Sequence, residues 1–200
     1  VHDEANTTSL TDLQLLPAHH WHESMMQHWQ VGEEAAYQKL LNFIEKQIAS
    51  YKQGRDFPAL KCTSYLSPHL HFGEISPLQI YHQVLQLAQE YASEDNIEHF
   101  ISELMWREFS TYLLYHFPQL PRHNFNAKFN GFPWQHDSAH LEKWQKGLTG
   151  YPIIDAGMRE LWQTGYMHNR VRMIVASFLV KNLNIHWHCG QEWFWDCLLD

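Results

Sequence analysis

The chain has 200 residues, 44% of them apolar and 14% aromatic, which is enough for one or at most two compact domains with a real core and excludes a disordered tail. Its formal net charge is −8, from 14 Lys and Arg against 22 Asp and Glu, and spread evenly that charge would argue against a nucleic-acid partner. It is not spread evenly: residues 1–34 hold six acids and no Lys or Arg, leaving −8 + 6 = −2 on the other 166, and Arg159 to Lys181 hold four bases against Glu160 alone.

The first 32 residues, with Asn6-Thr7-Thr8-Ser9, Pro17 and scattered acids, show no sustained period and read as a linker. From Glu33 the apolar residues Ala36, Leu40, Leu41, Phe43, Ile44, Ile48 and Tyr51 recur at helical spacing up to Gly54. Residues 55–75 read as loop. Ser76-Pro77 then supplies an N-cap with proline at the first helical position, followed by the seam Ile80, Val84, Leu87 and Tyr91. Asp95 or Asn96 is the expected cap of the next helix, where Ile97, Ile101, Leu104, Glu108 and Tyr112 share a face until Pro118 ends the run. A short helix is expected from Ser138 to Gly147, another from Pro152 to Gly165, and a long apolar one from His168 to Asn184. Strand alternation is absent, so the chain reads as all-α, without internal repeats.

The three cysteines, Cys62, Cys189 and Cys197, form no short-spaced framework, which fits a reducing compartment and makes the cytosol the expectation. No apolar run approaches the ~20 residues of a membrane span. Sixteen histidines invite a metal reading at His19-His20-Trp21-His22, His69-Leu70-His71 and His186-Trp187-His188-Cys189, but no second ligand pair stands at a metal-binding spacing, so no metal is expected. Hydrolase elbows, Walker loops and dinucleotide glycine fingerprints are missing.

Three features carry chemistry. Thr63-Ser64-Tyr65-Leu66-Ser67-Pro68 concentrates hydroxyls and backbone N–H groups in one turn, which either holds a phosphate without lysine or caps a neighbouring helix. Glu103 and Trp106, three apart on a helix with Arg107 beside them, form either a base-reading carboxylate with a stacking indole or an ordinary half-buried face. Asn169-Arg170-Val171-Arg172-Met173 opens an apolar helix with residues that need a partner, either structural ion pairs or a ligand. Nine tryptophans are mostly core candidates, but Trp134 and Trp187 sit in a loop or at a helix end.

Together these strings, with Glu103-Leu104-Met105-Trp106-Arg107-Glu108-Phe109, Gly147-Leu148-Thr149-Gly150-Tyr151-Pro152-Ile153-Ile154-Asp155-Ala156-Gly157-Met158-Arg159 and Met167-His168-Asn169-Arg170-Val171-Arg172-Met173, resemble the photolyase/cryptochrome family. The resemblance covers roughly Leu15 to Asp200 and is nearest the class that repairs cyclobutane pyrimidine dimers. It implies a linker over 1–32 and a helical FAD-binding domain over 33–200, which belongs to a monomeric, light-driven DNA-repair enzyme. By position it implies that Tyr51, Thr63, Ser64, Leu66 and Ser67 contact FAD, with Asp200 near the flavin and Arg172 pairing with it. Glu103 would hydrogen-bond the damaged pyrimidine and Trp106 would stack on it, with Asn169 and Met173 lining the same pocket and Arg55, Arg107 and Arg170 near DNA phosphate. Trp187 and Trp134 match the middle and outer members of a flavin-reducing tryptophan chain. Two positions depart from the family pattern: Phe100 stands where some relatives have Trp, and Tyr65 replaces the usual Arg.

Both ends read as cut, since the chain starts at Val1 and stops directly after an aromatic run, Trp193 to Leu199. The resemblance places an α/β domain with an antenna chromophore upstream and further flavin contacts downstream, so the 200 residues alone are expected to form a partial bundle that binds FAD weakly. Two readings compete with dimer repair: a cryptochrome-type blue-light sensor, which keeps the flavin and relaxes the lesion pocket, and an unrelated all-α interaction module.

Overall fold

The computed structural model describes residues 8–9, 11–15, 19 and 22–200. His20 and Trp21 of the first histidine run, and much of the expected linker, lie outside the described residues. Among the described residues there are ten α-helices and no strand, so the chain is all-α; Gln135 and Ile185 form one isolated bridge.

Two apolar cores organise the molecule. The first is built by α2 (Glu33–Lys46), α3 (Tyr51–Gly54), α4 (Ser67–His71), α5 (Pro77–Leu87) and α6 (Glu94–His116), around Leu40, Phe43, Ile44, Ile80, Val84 and Phe100. The expected single helix from Glu33 to Gly54 is broken at Gln47, whose carbonyl accepts from Ser50 N and Ser50 Oγ, and a 3₁₀ turn over Ile48–Ser50 leads into α3. The stretch read as loop contains α4, which at five residues is too short to show a period. α5 begins as expected, with Ser76 and Gln79 in a reciprocal capping box, but its seam stops at Val84 and Leu87, and Tyr91 is exposed beyond the helix. The cap of α6 is Ser93 rather than Asp95 or Asn96. Those two residues instead tie α6 to α3: Asp95 pairs with Lys52 Nζ at 2.7 Å, and Asn96 Oδ1 accepts from Lys52 N at 2.9 Å. Along α6, Ile97 and Leu104 are buried, whereas Glu108 and Tyr112 are exposed, because the period runs on past the edge of the core.

The second core is built by α7 (Ser138–Gln145), α8 (Pro152–Thr164), α9 (Asn169–Ser177) and α10 (Trp187–Cys197), around Trp144, Met158, Leu161, Met167, Val175 and Leu179. The helix expected over His168 to Asn184 changes hydrogen-bond register at Phe178 and runs as π-helix over Phe178–Asn182, where Leu183 N donates to Phe178 O at 3.0 Å. The Gly147 to Arg159 string is structural. Asp155 accepts from Thr149 N, Thr149 Oγ1 and Gly150 N, and Arg159 Nη2 donates to Gly147 O, so the turn is locked onto the start of α8. α8 ends on Gly165 in the left-handed region, φ 70°, as its sequence signal predicts.

α1 (His22–Met26) and Trp29, both within the stretch read as a linker, pack on the bundle. Trp29 Nε1 donates to Thr164 O at 2.6 Å, and its ring meets His69 on α4 and Tyr166 after α8.

α8 and α9 approach most closely at Gly157, where a Cβ would stand 2.4 Å from Val171 Cγ1 and 3.3 Å from Val175 Cγ2. Gly157→Ala is therefore expected to lower the free energy of unfolding by about 1–3 kcal/mol, measured by denaturant titration, since neither β-branched neighbour can turn away without disturbing the core.

Candidate functional site

A cavity of about 630 Å³ opens where the two cores meet. The first core contributes Tyr51 and Arg55 from α3 and its end, Thr63, Ser64, Leu66 and Ser67 from the hydroxyl-rich turn, and Phe100, Glu103 and Arg107 from α6. The second contributes Tyr166, His168, Asn169, Arg170 and Arg172 from the start of α9, and Asp200. The structure thus gathers twelve of the residues singled out from the sequence into one wall. Trp106 and Met173 are not among them: Trp106 is 61% exposed outside the cavity, and Met173 lines a separate apolar groove with Tyr151 and Phe178. Spacing put each on the face of a cavity residue, but the rim of the cavity passes between them.

The charges decide what the cavity suits. Arg55, Arg107, Arg170 and Arg172 outnumber Glu103 and Asp200, an excess of 4 − 2 = +2 in a chain whose net charge is −8. Arg55 and Arg172 are held by the two cavity carboxylates, whereas Arg170 and Arg107 pair with Asp56 and Glu108, which do not line the cavity. Arg172 donates from Nη1 and Nη2 to the two oxygens of Asp200, both at 2.8 Å, and from Nε to Met167 O at 2.7 Å. Arg170 Nε donates to Asp56 Oδ1 at 2.7 Å across the junction of the cores. Arg55 pairs with Glu103. Burial works against the Arg55 charge, but the bond to Glu103 and the nearby Tyr51 and Asp56 leave its pKa raised above the ordinary arginine value. Burial pushes the Tyr51 and Tyr166 phenols up to about 12, so both stay protonated and able to donate.

The hydroxyl turn presents one side to the cavity. Tyr65 sits at φ 54°, left-handed for a residue that is not glycine, and this reversal sends its ring to the far side against Tyr166, 4.8 Å between centroids. Ser64 Oγ accepts from Leu66 N at 3.4 Å within the turn. The Arg-to-Tyr departure therefore falls on a side chain that faces away from the cavity.

Sequence reasoning missed His168 and Tyr166. His168 caps α9: its Nδ1 accepts from Arg170 N at 3.2 Å, so the neutral ring carries its proton on Nε2. That Nε2 is buried with no partner among the described residues. The sequence reading starts that helix at His168, one residue early, because histidine is not among the usual caps.

The family model for the FAD binding domain of DNA photolyase matches residues 100–200. A deoxyribodipyrimidine photo-lyase of Agrobacterium fabrum is 50% identical over 192 residues, 96% of this chain and 40% of that protein. Cryptochrome-1 of Arabidopsis thaliana is 38% identical over 178 residues, 86% of this chain and 26% of that protein. A class III photolyase structure from Agrobacterium tumefaciens superimposes with a TM-score of 0.92 at 47% identity, over 97% of this chain and 40% of that one. Fold and cavity together define a helical flavin-domain protein. The chain belongs to the DNA photolyase/cryptochrome family, and spans about two fifths of the photolyases it matches.

The cavity fits a flavin dinucleotide: hydroxyls and guanidinium groups suit a diphosphate, and the His168 Nε2 proton lacks an acceptor. Burial, with Arg170, Arg55 and Arg172 adding repulsion, holds the His168 pKa below 6.5. The cap it makes is thus fully present above pH 6.5 and lost as the pH falls below that value. Urea titrations from about pH 7 down to about pH 5 should show stability declining more steeply in the wild type than in His168→Asn, which keeps an acceptor but cannot take up a proton in that range.

Proposed function

We propose that residues 33–200 are the flavin-holding domain of an enzyme that uses light to split cyclobutane pyrimidine dimers in DNA, with residues 1–32 leading into it. The observation that carries this reading is the positive cavity with the Arg55–Glu103 pair in its wall. Thr63, Ser64 and Ser67 would hold the diphosphate and ribose of FAD through their hydroxyls, with Tyr51 and Leu66 packing beside them. The Arg172–Asp200 pair would lie near the isoalloxazine, held rigid by its bidentate geometry. When bound and reduced, the flavin supplies an electron to the dimer on absorbing blue or near-ultraviolet light and recovers it once the ring has opened.

The other residues serve the substrate. Glu103 is anchored by Arg55 and presents its carboxylate to the N–H edge of the damaged pyrimidine. One turn along α6, the exposed Trp106 ring offers a stacking face to the same base. Extrusion of the lesion costs least where the dimer has already weakened stacking. Arg107, Arg170 and Asn169 surround the cavity and would meet phosphate and sugar, with Met173 farther along α9. Trp187 and Trp134 would pass electrons inward to restore the reduced cofactor.

The test is light-dependent repair of an irradiated oligothymidylate by the whole protein in reducing conditions. Glu103→Ala should lower both repair rate and affinity for the lesion by about tenfold or more while leaving flavin absorbance unchanged. Repair unaffected by that change removes Glu103 from the site. No repair at all favours the cryptochrome-type sensor.

A further inference from the structure

The electron path proposed above passes through two indoles that the structure joins through a third ring. Trp134 lies in a loop tied to the segment before α10: Gln135 N donates to Asn184 O at 2.8 Å, Asn184 Nδ2 donates to Pro133 O at 3.2 Å, and Gln135 and Ile185 form the isolated bridge. This clamp sets the His186 imidazole between the indoles. Its centroid is 5.1 Å from Trp134, edge to face at 68°, and 5.5 Å from Trp187, stacked at 29°. The ring cannot swing freely, because His186 caps α10 with Nδ1 accepting from His188 N at 3.1 Å.

The same geometry fixes the protons. Trp187 Nε1 donates to Asn124 Oδ1 at 2.6 Å, and a carboxamide oxygen is too weak a base to take the proton. Trp134 Nε1 is buried with no partner among the described residues. Either indole, once oxidised, keeps its N–H proton and carries a full positive charge. A neutral imidazole tolerates that charge, whereas an imidazolium about 5 Å away repels it strongly in a partly buried setting.

We propose that His186 is the positioning residue of the outer electron step: its neutral ring bridges Trp134 to Trp187, and its protonation, at nearly equal distance from both, disfavours a positive charge on either indole. One electron leaves Trp134 and fills the vacancy on oxidised Trp187, whose own electron has gone toward the light-excited oxidised flavin; no proton moves. Burial, and then His188 in α10 and His136 on the Trp134 loop, hold the imidazole below the ordinary histidine value of 6.5. The pair is therefore open to oxidation at neutral pH and resists it on acidification.

This inference rests on the proposed electron path, and two measurements separate them. With indole nitrogens labelled with ¹⁵N and the Trp134 signal assigned by Trp134→Phe, that signal should shift with a midpoint below pH 6.5 in the flavin-free chain and stop titrating in His186→Phe; Trp187 also faces the His188 ring at 3.9 Å and is not used as the reporter. A Trp134 signal that does not titrate, or that still titrates in the variant, overturns the assignment. In the flavin-loaded whole protein, transient absorption should show oxidation of Trp134 slowed at least about tenfold in His186→Asn, which keeps a cap acceptor but no ring. His186→Phe should retain the rate and lose its pH dependence. The reverse result, with Asn normal and Phe slow, reduces His186 to a helix cap. Photoreduction unimpaired in Trp187→Phe removes the electron path itself, and this step with it.

Discussion

Everything at the cavity depends on how the two apolar cores are joined. Within each core the contacts are packed side chains, and each fully buried Leu, Ile or Phe contributes about 1.5–3 kcal/mol. Polar and aromatic contacts cross between them, Arg170 to Asp56 and Tyr65 against Tyr166, and the Trp29 indole before α2 donates to Thr164 O. Such polar and ring contacts contribute less than the burial of whole apolar side chains, so the junction is the weaker part of the fold. That weakness leaves room for a cavity of about 630 Å³, which tight packing would have filled. A ligand that bridges both walls adds its binding free energy to the junction that lacks it.

Charge follows the same division. Among the described residues, no acid before residue 35 lines the cavity wall, where guanidinium groups exceed carboxylates. Each arginine held by a carboxylate keeps a fixed geometry, so the excess positive charge is presented from preset positions rather than from free side chains. Overall net charge was a poor guide to partner because the field that matters is local.

The sequence was informative wherever a short-range rule applied. Ser76 with Gln79, Pro152 and Gly165 mark helix ends through local chemistry, and the structure has those ends where the rules place them. It was uninformative where tertiary contacts decide: Asp95 and Asn96 have cap chemistry, yet Lys52 on another helix engages both. α4 is too short for periodicity, and the π-helical stretch has the same apolar pattern as an α-helix. At the cavity, residue type and motif order brought out Glu103, Arg172 and the hydroxyl turn. His168 escaped because its importance lies in an unsatisfied nitrogen, which only coordinates reveal. Tyr65 could not be placed from type alone, since one left-handed dihedral decides which side of the turn it serves.

The helix caps differ in one chemical respect. Ser76 starts α5 and Asp137 starts α7 through oxygen acceptors that do not take up a proton near neutrality, whereas imidazoles start α9 and α10. A mildly acidic environment therefore releases the molecule in a set order. The helix that carries Arg170 and Arg172 and the helix that opens with Trp187 loosen at their first turns while α5 and α7 are still fastened. Acid sensitivity in this fold is written into the chain as a choice between oxygen and nitrogen at four helix starts.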